Sequence, residues 1–270
     1  MTAATTPMRR RLDAGEVVLC LCLTHARTAD VPMMAAACGF DAVFLDLEHA
    51  PIGVDTAAML CTAAIGAGVT PLVRVPAHDT QYMIRLLDNG AMGVIVPHVE
   101  DRAQAEAIVE ACRFAPIGRR SIIGPNPATG FRPMPIADMN AFMNREQIVC
   151  AMIETPGAVE RAGEIASVPG LDMILIGPHD LTSEMGIHGQ FGHERFRAAV
   201  AAVAAACRTH GTILGIAGVG KDADLLAEFL ALGGRFISAG TDAGFFMEAA
   251  RAQVARLRGI DIPAAPPTYG

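Results

Sequence analysis

Short, continuously apolar runs recur along the chain, and most precede a longer stretch whose apolar positions fall three and four residues apart. "EVVLCLCLT" leads into "DVPMMAAACG", "DAVFLDLEH" into "DTAAMLCTAAIGAG", and "TPLVRVP" into "DTQYMIRLLDNG". "GVIVPHV" leads into "DRAQAEAIVEACRF", and "QIVCAMIE" into "AVERAGEIASV". "LDMILIGPHDL" is followed by a helical pattern near 193–210, "TILGIAG" by "KDADLLAEFLALGG", and "RFISAGTD" by "FFMEAARAQVARLRG". The strand runs do not alternate with polar residues, as expected where both faces of a sheet are buried.

About eight βα units in one chain predict a parallel (β/α)8 TIM barrel. Residues 1–260 would form that single domain, and 261–270 a tail leaving it. An open doubly wound sheet is the weaker alternative, because no G-x-G-x-x-G turn follows the first strand. The segment 115–140, "APIGRRSIIGPNPATGFRPMPIADMN", breaks the rhythm with Pro and Gly. Long irregular loops are usually functional, and Arg119, Arg120 and Arg132 suggest a lid that faces an anion.

In such a barrel the chemistry lies at the C-terminal ends of the strands. The polar residues there are Glu48–His49, Arg74, His98, Glu154, His179–Asp180 and Asp242. Glu154 and Asp180 end consecutive strands, which lie ~4.8 Å apart. Two such carboxylates repel unless a cation lies between them, and oxygen donors with room for water suit Mg²⁺ or Mn²⁺. Each could instead cap the helix that follows. Arg74 needs an anionic partner; Asp46 or Glu48 could serve, or the arginine could fork onto a substrate oxygen. His49 is a candidate general base or a satisfied core histidine. Asp88 ends a helix and lies at the opposite face of its own barrel, so it could reach a catalytic histidine only from a neighbouring subunit.

Composition narrows the choices. The net charge is −7, and no basic stripe with interleaved aromatics suggests nucleic acid. The triplet "RRR" at 9–11 reads as a solvated lead-in. No apolar run approaches the ~18 residues of a membrane span, and Asp13 and Glu16 interrupt any signal-peptide core, so a cytoplasmic location is expected. The seven cysteines include no C-x-x-C pair, and buried thiols are expected. Lys221 is the only lysine and sits at a helix start, which disfavours Schiff-base chemistry.

"FLDLEHAP", "PLVRVP", "LLDNGAMGVIVPHVE", "AMIETPGAVE" and "IGPHDLTSEMG" occur in an order and spacing that resemble the HpcH/HpaI family of class II pyruvate aldolases, from about residue 15 to 258. The resemblance implies a pyruvate-type barrel, assembled as a homohexamer (a trimer of dimers) with a last helix exchanged between subunits. It implies Glu154 and Asp180 as ligands of Mg²⁺ or Mn²⁺, with Co²⁺ as a further candidate. Arg74 would hold the oxo oxygen of pyruvate, and the backbone from Gly177 through Pro178 and His179 to Asp180 its carboxylate. His49, oriented by Asp88 of an adjacent subunit, would move the proton. The reaction implied is reversible cleavage of 4-hydroxy-2-oxo acids to a 2-oxo acid and an aldehyde through a stabilised enolate. A related enolate-condensing synthase, a CoA-ester lyase and a non-catalytic oxo-acid-binding barrel are the rivals. The chain departs from the family at Met152, where glutamine is common, at His179, where a small residue is typical, and at Ser121, where Arg120 is normally followed by glycine. Ala217 borders the acceptor end.

Overall fold

The computed structural model describes residues 5–220 and 222–260. Lys221 and the expected tail at 261–270 lie outside the described residues. Eight parallel strands close in sequence order: β1 Val18–Leu23, β2 Ala42–Asp46, β3 Thr70–Arg74, β4 Gly93–Val96, β5 Ile148–Ile153, β6 Met173–Ile176, β7 Ile213–Ile216 and β8 Phe236–Thr241. The helices are α1 Pro7–Asp13, α2 Asp30–Ala37, α3 Val54–Ala67, α4 Thr80–Asp88, α5 Arg102–Cys112 and α6 Ile136–Glu146. They continue as α7 Pro156–Glu160, α8 Ala162–Ala166, α9 Pro178–Glu184, α10 Glu194–His210, α11 Ala223–Ala231 and α12 Asp242–Arg258. The structure is the expected (β/α)8 barrel.

Alternation along each strand sorts its side chains into two cores. Cys20, Cys22, Phe44, Leu72, Ile95, Cys150, Met152, Leu175 and Phe236 fill the barrel interior. Leu21, Leu23, Val43, Leu45, Val73, Val94, Ile153 and Ile176 face the helices. Each fully buried aliphatic side chain contributes ~1.5–3 kcal/mol, so both faces of every strand are committed and the register is fixed. Cys20 and Cys22 point inward together, and burial pushes both thiols well up.

The arginine triplet is a solvated lead-in only in part, since Arg10 and Arg11 are exposed and Arg9 is half-buried. It lies in α1, capped by Thr6 through the Arg9 amide at 3.2 Å. Met8 is buried in the interior core and donates its N–H to Thr70 Oγ1 at 3.1 Å. Arg9 pairs with Asp172 at 3.1 Å, and Arg11 with Asp41 and Glu16. The helix therefore plugs the N-terminal end of the barrel; Arg9 and Arg11 pair with carboxylates around that plug, and Arg10 donates to the Thr5 carbonyl at 3.1 Å.

The segment 115–140 also departs from expectation. Arg120 is buried; its fork reaches Asp88 Oδ1 and Gln147 Oε1, each at 2.6 Å, and its guanidinium stacks 4.6 Å from the Phe114 ring centre. Gln147 immediately precedes β5, so this cluster sits beneath the barrel, opposite the C-terminal strand ends. A guanidinium buried there and held by Asp88 and Gln147 does not face this chain's own barrel mouth. Ser121 follows it and is exposed, as are Arg119, paired with Glu110 at 2.8 Å, and Arg132.

The last helix is unlike the others. Not one residue of α12 is buried, and Phe245, Phe246, Met247, Val254 and Leu257 are exposed, Phe246 at 70%.

Candidate active site

The β2–β3 rung sets the first pair. Asp46 and Arg74 are partners in the parallel register. Arg74 Nε donates to Asp46 Oδ1 at 3.0 Å and Nη2 to Oδ2 at 2.6 Å, a bidentate fork. Nη1 is left 3.1 Å from Glu48 Oε2 and 4.0 Å from Met152 Sδ. Burial works against the Arg74 charge, but Asp46 and then Glu48 outweigh it and raise its pKa. Burial likewise pushes Asp46 up, and the Arg74 fork prevails and lowers it. Asp46 Oδ1 also accepts the amides of Glu48 at 3.1 Å and His49 at 3.3 Å, so one carboxylate shapes the turn and fixes the arginine. The salt-bridge reading of Arg74 holds with both expected partners, Asp46 through the fork and Glu48 through Nη1.

Behind that arginine stand carboxylates. Glu154 follows β5 and is almost fully buried. Its Oε2 accepts the His98 amide at 3.0 Å. Burial raises the Glu154 pKa, the His98 contacts oppose that, and the charges of Glu48 and Asp180 raise it further. Glu48 Oε2 is buried without a hydrogen-bond partner. Gly177, just after β6, makes room for this arrangement, since a Cβ there would lie 2.5 Å from Glu154 Oε1. Asp180 and His179 are not at a strand end; they lie in the first turn of α9. Glu48 Oε2 is neutralised by Arg74 Nη1, which leaves Glu154, raised by burial and by the charges of Glu48 and Asp180, and Asp180 as oxygen donors of the kind a divalent cation takes. Among the described residues no three His, Cys, Asp or Glu side chains are already gathered in full ligating geometry.

His49 projects outward, 63% exposed, with Nε2 3.5 Å from Glu48 Oε2. Asp88 lies at the far end of α4, held by Arg120 of its own chain, so a single chain does not bring it to His49. His179 meets Phe191 edge to face at 5.2 Å and rests against Gly218, where φ is 73° and a Cβ would lie 3.0 Å from Nε2. His179, Phe191, Gly218, Ser238 and Thr241 line a groove of about 890 Å³ that does not include Arg74, Glu48, Glu154 or Asp180. Ala217, after β7, packs against the interior core. Asp242, a strand-end candidate, is structural. It accepts the amides of Thr24, His25, Ala26 and Ala243, plus the Thr24 hydroxyl. Burial pushes its carboxyl up, but those donors outweigh it and bring the pKa to about 2.

Of the residues gathered here, Asp46 and Glu48 were expected as possible partners of Arg74, whereas His98 was placed at the rim without a role. Asp46 and Glu48 were visible as a cluster in "FLDLEHAP", and neighbouring-strand register ties Asp46 to Arg74. His98 carried no signal beyond its place after β4.

Residues 20–249 match the family model described as HpcH/HpaI aldolase/citrate lyase. A 4-hydroxy-4-methyl-2-oxoglutarate aldolase of Hapsidospora irregularis is 39% identical, covering 81% of this chain and 82% of its own. A hydroxypyruvate/pyruvate aldolase of Sagittula stellata is 34% identical over 90% of this chain and 94% of its own. Among solved structures, an HpcH/HpaI aldolase from Desulfitobacterium hafniense superposes with a TM-score of 0.90 at 28% identity, covering 98% of this chain and all of that one. A family match spanning residues 20–249 places the chain in the HpcH/HpaI aldolase/citrate lyase family.

Proposed function

We propose that the protein is a divalent-metal-dependent pyruvate aldolase, an aldehyde-lyase that reversibly cleaves 4-hydroxy-2-oxo acids to pyruvate or a related 2-oxo acid and an aldehyde. The observation that carries this reading is the Asp46-clamped Arg74 facing the Glu48, Glu154 and Asp180 carboxylates. Its support from relatives is that the two named above are both aldolases.

Glu154 and Asp180 would hold Mg²⁺, Mn²⁺ or Co²⁺, and the cation would polarise a 2-oxo acid and offset charge developing on its oxo oxygen. Arg74 does the remaining electrostatic work. Two of its three nitrogens are fixed by Asp46, and Nη1, now paired with Glu48, would turn its charge to that oxygen. The backbone from Gly177 and Pro178 to His179 and Asp180 would carry the substrate carboxylate, and Ala217 leaves space at the acceptor end. His49, at the solvent edge beside Glu48, takes the proton from the 4-hydroxyl in cleavage and returns it in condensation. Asp88 of an adjacent subunit would orient His49, with Arg120 acting on Asp88 as a positioning residue. No lysine is required.

A homohexamer with α12 exchanged between subunits is supported by the exposed apolar residues of that helix. No described helix is long and apolar enough to cross a membrane; a cytoplasmic location and small-molecule partners accompany the reading. The test is retro-aldol cleavage of a 4-hydroxy-2-oxo acid. Chelator should abolish it, Mn²⁺ or Mg²⁺ should restore it, and Glu154→Gln should block the restoration. Turnover that survives exhaustive chelation rejects the metal mechanism.

A further inference from the structure

We propose that His25 contacts the substrate on the acceptor side of the site, presenting its Nε2 lone pair to a hydroxyl of the fragment released as the aldehyde. This rests on the aldolase reading above and deepens it, since it names what that fragment carries. His49 keeps the 4-hydroxyl proton, and His25 acts further along the chain of the substrate.

Asp46 and Arg74 close β2 and β3, and Glu154 and Asp180 follow β5 and β6. The 2-oxo acid end of the substrate therefore belongs to that side of the rim. The arc left for the other fragment runs through β7, β8 and β1. The end of β1 reaches the level of the Asp46–Arg74 rung. Leu23 pairs with Leu45, so Thr24 comes one step further, beside Asp46. Cys22 faces the barrel interior and Leu23 the helices, and alternation turns Thr24 toward the mouth. Burial acts first on the Cys22 thiol below it, followed by the charges of Asp46, Arg74 and Asp242, which places those three groups around one spot.

The loop that follows is held from two sides. Asp242 accepts the amides of Thr24, His25 and Ala26, and Arg27 donates to the Thr24 and Ala26 carbonyls at 2.8–3.2 Å. On this fixed loop His25 is exposed. Thr24 Oγ1 lies 2.7 Å from Asp242 Oδ1 and 2.9 Å from His25 Nδ1. A hydroxyl has one proton. Facing a carboxylate it donates there, so toward the imidazole it accepts, and Nδ1 carries the ring proton. A neutral ring then keeps its lone pair at Nε2. That nitrogen has no hydrogen-bond partner among the described residues. A histidine whose tautomer is set by a carboxylate-anchored neighbour is the arrangement used where an imidazole must meet a reacting molecule in one form.

The chemistry of the occupant follows from that lone pair. It accepts from a hydroxyl and repels a carboxylate. The groove on the same arc is lined by Asp222, Asp224 and Glu248, which also disfavours a second acid group. The fragment that fits is a short hydroxylated aldehyde, and its parent acid bears a hydroxyl beyond C4.

The test uses the full chain loaded with Mn²⁺ and follows condensation of pyruvate at pH 8 with glycolaldehyde, acetaldehyde or glyoxylate. His25→Phe, which keeps a ring without nitrogen, should lower kcat/KM for glycolaldehyde about tenfold more than for acetaldehyde. Thr24→Val should produce most of the same change with His25 still present, and Thr24→Ser should keep the parental preference. Nitrogen-15 resonances of His25 in the metal-free protein should show Nδ1 protonated and Nε2 bare. Equal losses for glycolaldehyde and acetaldehyde reduce His25 to a cap on its loop and overturn the inference. A loss concentrated on glyoxylate, as expected of a charged imidazole gripping a carboxylate, overturns it too, as does a ring protonated at Nε2 alone. Failure of the parent to condense any of the three aldehydes rejects the aldolase reading itself, and the inference falls with it.

Discussion

Replacing Gly177 with alanine tests how tightly Glu154 is placed. The Gly177 backbone, at φ −94° and ψ 92°, admits any L residue, so the variant carries no backbone penalty. Its effect is contact alone. The added Cβ would lie 2.5 Å from Glu154 Oε1, 2.7 Å from Glu154 Cγ and 2.8 Å from Met152 Cε. Carbon pairs prefer about 3.5–4.0 Å, so the Glu154 side chain must withdraw by roughly 0.7 Å. Metal–ligand distances tolerate about 0.2 Å. The displacement exceeds that several times over and also pulls Oε2 from the His98 amide. Overpacking of this kind costs about 1–3 kcal/mol, which lowers Tm by about 2–12 °C at roughly 2–4 °C per kcal/mol. Mn²⁺ affinity, read by titration calorimetry, should fall at least about tenfold. Gly215→Ala is the control. Its Cβ would meet Leu175 and Phe236 at 3.0 and 3.2 Å inside the barrel, away from the carboxylates. It should lower Tm and leave Mn²⁺ affinity alone. Parental Mn²⁺ affinity in Gly177→Ala would refute the placement of Glu154 as a ligand.

Arg74→Lys should cut kcat for cleavage by about 10²–10³, because an ammonium cannot keep the Asp46 fork while reaching the substrate; near-parental kcat would remove Arg74 from the chemistry. For Asp242 the folded pKa of about 2 lies below its ordinary 3.8. Its ionised form therefore stabilises the fold above about pH 4, and that contribution fades as pH falls toward 2. The denaturation gap between parent and Asp242→Asn should narrow over that range, and a gap constant from pH 7 to 2 contradicts the assignment. Phe246→Asp on α12 should lower the assembly mass in light scattering, whereas a parent that is already monomeric would dismiss the exchanged helix.

The barrel was legible because strands buried on both faces must be apolar at consecutive positions, and that signature needs no tertiary knowledge. The Glu154 and Asp180 pair was legible for a related reason, since consecutive βα units place their strand ends side by side. Asp180 nonetheless lies a turn into α9, because Pro178 starts a helix where the apolar run seemed to continue. Arg120 was misjudged. Its Pro- and Gly-rich setting signals exposure, but Asp88, Gln147 and Phe114 come from distant positions to bury it. The triplet at 9–11 misled in the same way, since its partners Asp41 and Asp172 lie far along the chain. His98 was hidden for a different reason: a single positive φ turns its ring, and no residue pattern encodes that.

Because side chains fill the barrel down to the α1 plug, the candidate site can be approached only from the rim at the strand C-terminal ends. Whatever settles deepest, against Arg74 and Glu154, arrives first and departs last. The fragment nearer the opening leaves ahead of it. Such stacking imposes a fixed sequence on release, so the deeper product should compete directly with fresh reactant while the outer one should not.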